Sequence, residues 1–477
     1  MRTCFPRTCF LRKLIVFLAI LFAIALTFNA CRSPVVEGGD STEDGGDGDG
    51  KDDNTDVAGK EEFAFELIEN GANAGTYRVM AGTVTKGVVS IPAEYNDQPV
   101  TEIGAFAFAY RANLEGISIP ASVKTIGEYA FYECAKLAAV NFAQSIRLES
   151  IGRGAFANCK NLAAITIPQS VMAIGAYAFF GCEKLVSITI PANITALGEY
   201  TFYECRSLAT VTFAQGSRLE IIGEAAFAKC SPLASISIPA SVTVIDTFAF
   251  YECVSLMTVT FAPGSRLERI GRRAFLLCAG INSITIPAGV TTVGSYAFAA
   301  CYGLSTVIFA PGSRLSEISY GMFNNCIRLT AINIPQSVTA IGAYAFTSCV
   351  SLTAIAIPAS VKTIGDSAFY ECLNLTTVHV NSGLTVIGAF AFALCGNLTS
   401  MAIPASVTAI GEWAFAFCKS LPGITIPWGV TAVGGSAFFE WTRNQTIRVA
   451  GHASQASADS AWGTDWRLWC NAVTTYN

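Results

Sequence analysis

Thirteen cysteines, at positions 134, 159, 182, 205, 230, 253, 278, 301, 326, 349, 372, 395 and 418, are separated by steps of 23 or 25 residues without exception. One step back from Cys134 is Arg111, and one step forward from Cys418 is Trp441, both in otherwise matching copies. The period therefore runs through about fifteen copies. The unit reads IPASVxxIGxxAFxxCxxLxxI, as in IPASVKTIGEYAFYECAKLAAV at 119–140. Longer copies exchange IPxSV for a version such as FAPGSRL at 261–267, which is two residues longer. A segment this short cannot bury its apolar face alone. It must bury it against the copies before and after it, which predicts a repeat solenoid of about fifteen coils.

The apolar positions predict the path of one coil. In LVSITIP at 185–191, Leu185, Ile188 and Ile190 are the inward residues, and Ser187 and Thr189 face out, the alternation of a short strand with one buried face. Pro191 lacks an N–H and suits the strand's end. Gly198 is read as the residue that allows a tight turn, after which Phe202 and Cys205 return to the interior. Stacked coils then form a parallel sheet on one face, with strands about 4.8 Å apart and a curved rod about 70 Å long.

The stretch AFYEC, at 130–134, 249–253 and 368–372, places a thiol beside a carboxylate and a phenol. Read as chemistry, it lacks a base: the chain has two histidines, His379 and His452, neither in a motif. A nucleophile is also not needed thirteen times. The structural alternative, a small apolar side chain in a stacked core, explains the periodicity. Disulfides are disfavoured because side chains stacked in register stand about 4.8 Å apart, wider than the ~3.8 Å between bridged Cβ atoms. Free, buried thiols are expected, and no catalytic residue, metal site or cofactor is assigned. The Glu of AFYEC becomes Asn158, Gly181, Lys229, Ala300 or Ser348 elsewhere, as a solvent-facing position would.

With 52% hydrophobic and 14% charged residues, the chain is built for a large, regular core. Its net charge of −5 is uneven: residues 1–31 carry four positive charges, and 32–62 carry eleven acidic and three basic residues. The remainder has no basic field, which argues against nucleic acid as a partner. Arg2, Arg7, Arg12 and Lys13 precede the apolar run Leu14 to Ala25, and Ala30 precedes Cys31. This is the layout of a secretory signal peptide over 1–30. The segment LTFNAC at 26–31 resembles a bacterial lipoprotein box with Cys31 as the lipidated residue, although Phe28 and Asn29 depart from its commonest form. Residues 31–62 form an acidic Gly/Asp-rich tether without the apolar residues for a core. A calcium loop there lacks the ligand spacing and closing Glu of an EF-hand.

Two surface rows carry the period. Aromatics beside the Ala-Phe pair (Tyr129, Tyr177, Tyr200, Phe248, Tyr296, Tyr344, Phe390, Trp413) are either a ligand-stacking stripe or packing along the convex side. The packing explanation has the coil's own period in its favour. The outward strand row includes the candidate contacts Thr166, Thr189, Thr212, Ser237, Thr260, Thr285, Asn333 and His379 together with the apolar Ile308, Ala356 and Ala402, with Ser187, Thr210, Ser235 and Thr258 in a second row. This weakly charged, hydroxyl-rich face is a candidate contact for an extended protein or a glycan. A threonine ladder selected for strand propensity alone is the competing explanation.

The pattern IGxxAF-xx-C-xx-L-xx-I-x-IP, repeated over a dozen times, resembles the BspA-like leucine-rich repeat family. The resemblance spans about residues 63–477: an N-terminal cap at 63–100, the solenoid at 101–449 and a C-terminal cap at 450–477. In that last segment Trp462, Trp466 and Trp469 are suited to covering the last core. It implies a leucine-rich-repeat right-handed superhelix. It also implies a non-enzymatic, exported lipoprotein of the outer membrane or cell surface, anchored to the membrane through its lipid. Adhesion is the implied role, to host matrix proteins such as fibronectin or fibrinogen or to other bacterial surface proteins. Self-association and glycan binding are the alternatives.

Overall fold

The computed structural model describes residues 62–476, which form one compact unit. Cys31, the signal segment and all but the last residue of the tether lie outside the described residues. The chain winds as a parallel β-solenoid of about 17 turns, fifteen of them repeat coils and one capping turn at each end.

One phenylalanine per coil forms a continuous stack through the centre, from Phe108 to Phe438. Successive rings are near parallel, as for Phe179 and Phe202 at 5.3 Å and 2°. Leu, Ile and Val from the strands pack around it in a single core. All thirteen ladder cysteines are buried and unbridged, as the in-register stacking predicts.

Two sets of strands run along the rod. The broad set comprises the expected strands, such as Ser187–Ile190 and Thr210–Phe213, with inward and outward residues alternating. The second set is absent from the alternation reading. Two-residue strands such as Ala173–Ile174 and Ala196–Leu197, the xI of each IG step, pair coil to coil in a long narrow ladder. The narrow ladder is the more continuous one, interrupted once between Thr292–Val293 and Glu317–Ile318. The broad sheet breaks repeatedly into patches of two or three strands.

The glycine of each IG step is a correction to the tight-turn reading. Gly198 has no left-handed φ; a Cβ there would lie 2.8 Å from the Ala176 backbone nitrogen of the previous coil. Close approach of neighbouring coils demands glycine at this position.

The convex side is turn-rich. In each coil two residues adopt left-handed φ, for example Tyr129 at 51° and Glu133 at 56°. Left-handed backbone costs a non-glycine residue about 1–2 kcal/mol. Here it lets alternate amides face the next coil: Tyr129, Phe131 and Glu133 N–H donate to the carbonyls of Arg153, Ala155 and Ala157 at 2.7–2.9 Å. The amides between them close turns within the coil, as from Cys134 to Phe131. The amides from Tyr129 to Cys134 thus each find a carbonyl.

The ends are capped. At the N-terminus Ala64–Leu67 pairs antiparallel with Tyr77–Met80, which joins Gln98–Ile103 and the narrow ladder. At the C-terminus a helix, Gln455–Trp462, and a 3-10 turn, Thr464–Arg467, cover the last coil, and Val473–Tyr476 extends the broad sheet. Trp466 is fully buried and Trp462 partly so, but Trp469 is 56% exposed and covers no core. The large ring that closes the stack is Trp441 instead, 1% exposed and 5.2 Å from Phe438.

Candidate ligand-contact face

Thr166, Thr189, Thr212, Ser237, Thr260, Thr285, Asn333 and His379 all lie exposed on the broad-strand face. Parallel register sets Thr189 beside Thr212 and Ser237 beside Thr260. Thr285 pairs instead with Ile308, which is 50% exposed and interrupts the hydroxyl row with an apolar step. Asn333 and His379 both flank Ala356. Thr166 follows a segment where only Ala164 makes a bridge, to Ser187.

These hydroxyls differ from others on the rod. Thr243, Thr291, Thr339, Thr385, Thr408 and Thr431 each donate to the carbonyl of the preceding coil, at 2.8–3.3 Å. A second row, Thr376 and Thr399, does the same at 2.9 and 3.0 Å. Among the described residues, none of the eight face residues makes a side-chain hydrogen bond within the chain. Their polar groups point to solvent.

The aromatic row packs along the convex side. Tyr177 stacks on Tyr200 at 5.0 Å and Phe390 on Trp413 at 5.8 Å, and the Arg153 guanidinium lies 4.7 Å over Tyr177. The Glu of AFYEC carries a backbone role, because Glu133, Glu204, Glu252 and Glu371 are left-handed. Its side chain is therefore free to vary, and Glu204 meets Lys229 at 2.8 Å.

The cysteines have no reactive setting. Each of the thirteen ladder Sγ–H groups donates to the phenylalanine carbonyl of the preceding coil at 3.0–3.2 Å, as Cys205 does to Phe179. Burial pushes the Cys134 thiol up to about 12 and raises those of the other ladder cysteines and Cys470 as well. His379 lies on the broad face, whereas His452 sits in the C-terminal cap against Ser457 and Trp462. Among the described residues no group of His, Cys, Asp and Glu is placed to hold a metal, and no helix is long and apolar enough to cross a membrane.

The sequence reading missed where the face opens. Each four-residue ladder between repeat strands joins copies 23 residues apart. Four steps are 25 residues long. Across three of them, after Ala139–Phe142, Thr210–Phe213 and Thr258–Phe261, no strand pairing forms, and across the fourth, after Thr306–Phe309, two residue pairs remain. Each of these strands ends in a phenylalanine that is only half-buried, where the 23-residue copies end in a buried isoleucine except for the half-buried Val380, and each is followed by the two extra residues. The 23/25 alternation carries only part of the signal, because pairing is also absent across the 23-residue step from Ser400–Met401 to Gly423–Ile426.

These features define a class: a capped leucine-rich-repeat solenoid presenting a long, weakly charged face, of a kind that is typically non-enzymatic and serves binding. The BspA type leucine rich repeat region (6 copies) matches residues 101–230, 220–353 and 339–459. The chain belongs to this BspA-type leucine-rich repeat family. It is similar to a leucine-rich repeat protein from Bacteroides ovatus, at 26% identity over 88% of this chain and 100% of that one, with a TM-score of 0.66. It is also similar to a leucine rich cell surface protein from Faecalibacterium prausnitzii, at 32% identity over 70% and 96% of the two chains, with a TM-score of 0.45. No protein of curated function matches.

Proposed function

We propose that this chain is a lipid-anchored surface protein, held through Cys31, whose broad-strand face binds other macromolecules without catalysis. The observation that carries this reading is the contrast between threonine rows. Rows that stabilise the stack direct their hydroxyls to the preceding coil, as Thr408 does to Thr385. The face row leaves its hydroxyls unpaired within the chain, which strand propensity alone does not explain. A long repetitive surface of this kind suits an extended partner. Host matrix proteins such as fibronectin or fibrinogen, or bacterial surface proteins, are the partners we assign to it. The family resemblance and the layout around Cys31 support export to the outer membrane or cell surface.

The test is binding of the full chain to immobilised fibronectin and fibrinogen at physiological salt, beside the Thr212→Arg/Thr260→Arg variant. Saturable binding that the arginines abolish supports the reading. Unchanged binding by the folded variant moves the contact off this face.

One observation favours a second reading, self-association. Lys86–Ser90 and Val473–Tyr476 are the end strands of their sheets, each paired on one edge only. Free edges can pair with another copy. Sedimentation that grows with concentration would select this reading, and a monomer throughout would exclude it.

A further inference from the structure

Two of the broken seams of the broad sheet open as grooves. One, of about 570 Å³, lies between Thr210–Phe213 and Ser235–Ile238 and is lined by Thr210, Thr212, Ser217, Ser235, Ser237 and Ser241 among others. A second, of about 580 Å³, lies between Ala139–Phe142 and the segment 164–168. Both fall on 25-residue steps. Across 23-residue steps the Ala209 amide donates to Val186 and the Met257 amide to Ala234, each at 2.9 Å. Among the described residues no such bond joins Ala234 to Ala209 or Ala163 to Ala138. The strand edges facing each groove therefore keep unpaired backbone donors and acceptors.

We infer that these seams bind an uncharged, linear glycan, with neighbouring seams taking successive repeats of the chain. This rests on the broad-strand face being the contact surface. Three observations select the occupant. No ionisable side chain lines either groove, so a charged ligand would lose its hydration without a counter-charge. The first groove offers six hydroxyls and the second the Asn141 amide and the Thr166 hydroxyl, and free backbone donors and acceptors border both, which matches a ligand dense in hydroxyls. Beneath the first groove the coils stay in contact, with the core rings Phe202 and Phe227 5.3 Å apart, so inserting a peptide strand, which needs flanking strands about 10 Å apart, would require the coils to splay further.

Spacing adds a fourth argument. The seam after Thr258–Phe261 follows the seam after Thr210–Phe213 by two coils, about 10 Å on the parallel strand spacing. An extended β-1,4-linked glycan turns the same face to a surface at every second sugar, over a comparable distance. A chain of about six sugars would present one repeat to each of these neighbouring seams.

The experiment is calorimetric titration of the full chain with cellohexaose, mannohexaose and N-acetylchitohexaose, with the matching disaccharides and a heparin-derived hexasaccharide alongside. We expect saturable binding of a neutral hexasaccharide, at least tenfold weaker binding of its disaccharide, and none of the heparin fragment. Ser237→Tyr, which fills a groove, should weaken the hexasaccharide at least tenfold. Ala356→Tyr, on a paired part of the sheet, should leave it within twofold, with circular dichroism confirming both folds. Absence of neutral-sugar binding overturns the inference, as does tighter binding of the heparin fragment or equal loss in both variants. The same preparation on fibronectin and fibrinogen separates the levels. Protein binding without sugar binding removes the glycan and keeps the contact face, and loss of both removes the contact face as well.

Discussion

The indole Nε1–H of Trp441 donates to the carbonyl of Phe415 at 2.8 Å. Trp441 occupies the cysteine position of the last copy, and Cys418 one coil earlier makes the equivalent bond to Phe392 at 3.2 Å. The position is therefore defined by a buried donor for the preceding phenylalanine carbonyl. Thirteen thiols satisfy it inside the stack. At the end of the stack, with no further repeat coil to pack on, a larger ring satisfies it and covers the core. Trp441→Phe should keep most of the packing and lose the donor, costing about 1 kcal/mol. Trp441→Ala should cost about 3–5 kcal/mol. Chemical denaturation of both variants checks the difference: no loss in Trp441→Phe would mean the hydrogen bond contributes nothing, and equal losses would mean the ring's packing contributes nothing.

The thiols should be unreactive in the folded chain. The thiolate is the nucleophile, and burial holds Cys134 at about 12 and the other ladder thiols above the ordinary range. Iodoacetamide at pH 8 is expected to label none of the fourteen described cysteines natively and all of them in guanidinium, read by intact mass. Native labelling of a ladder cysteine would refute the buried arrangement.

The same shift sets an alkaline limit. A thiol with a raised folded pKa favours the folded state fully below the unfolded value near 8.5 and loses that contribution as pH rises toward about 12. Each ladder thiol then contributes a loss of ~1.4 kcal/mol per pH unit in that window. With thirteen acting together, stability should be flat between pH 6 and 8 and fall steeply above 9. Thermal midpoints across that range under reducing conditions check it; a shallow decline would show that the thiols ionise without unfolding.

Ser319 stands where nearly every other copy has the close-approach glycine, and its hydroxyl is buried without a hydrogen-bond partner. It also lies at the single interruption of the narrow ladder. Asp246, in the same position, sits in an unbroken stretch, where its Oδ1 accepts from the Thr247 amide at 2.7 Å and from Arg269 at 3.2 Å. Ser319→Gly is expected to stabilise the chain by about 1 kcal/mol, and Gly198→Ala to destabilise it by about 1–3 kcal/mol through overpacking. Calorimetry on both decides whether close coil contact is the reason for glycine.

Cys31 carries the anchoring proposal. Expressed in a bacterial host, the chain should incorporate labelled palmitate and fractionate with membranes, and Cys31→Ser should abolish both. Label retained by the variant would place lipidation elsewhere or remove it.

Much of the molecule is legible in its residues because the repeat makes each position report fifteen times. The inward Ile188 and Ile190, the stacked Phe202 and Cys205, and the outward Thr189 follow from alternation and period alone. The narrow ladder does not, because a two-residue strand such as Ala173–Ile174 is too short to show an alternation. Nor do the left-handed backbones of Tyr177 and Glu204, which depend on amides reaching the next coil.

What the sequence determined by itself is the solenoid. A fixed period of segments too short to fold alone leaves stacking as the way to bury them, and in-register stacking keeps the thiols apart and free. What only the tertiary structure decided is where neighbouring coils touch and where they part. Gly198 is needed because Ala176 lies against it, and the grooves exist because two added residues and a half-buried Phe213 leave the strand edge at Ser235–Ile238 unpaired. Both are relations between residues more than twenty positions apart, set by the geometry of packed backbones, which composition and period do not contain.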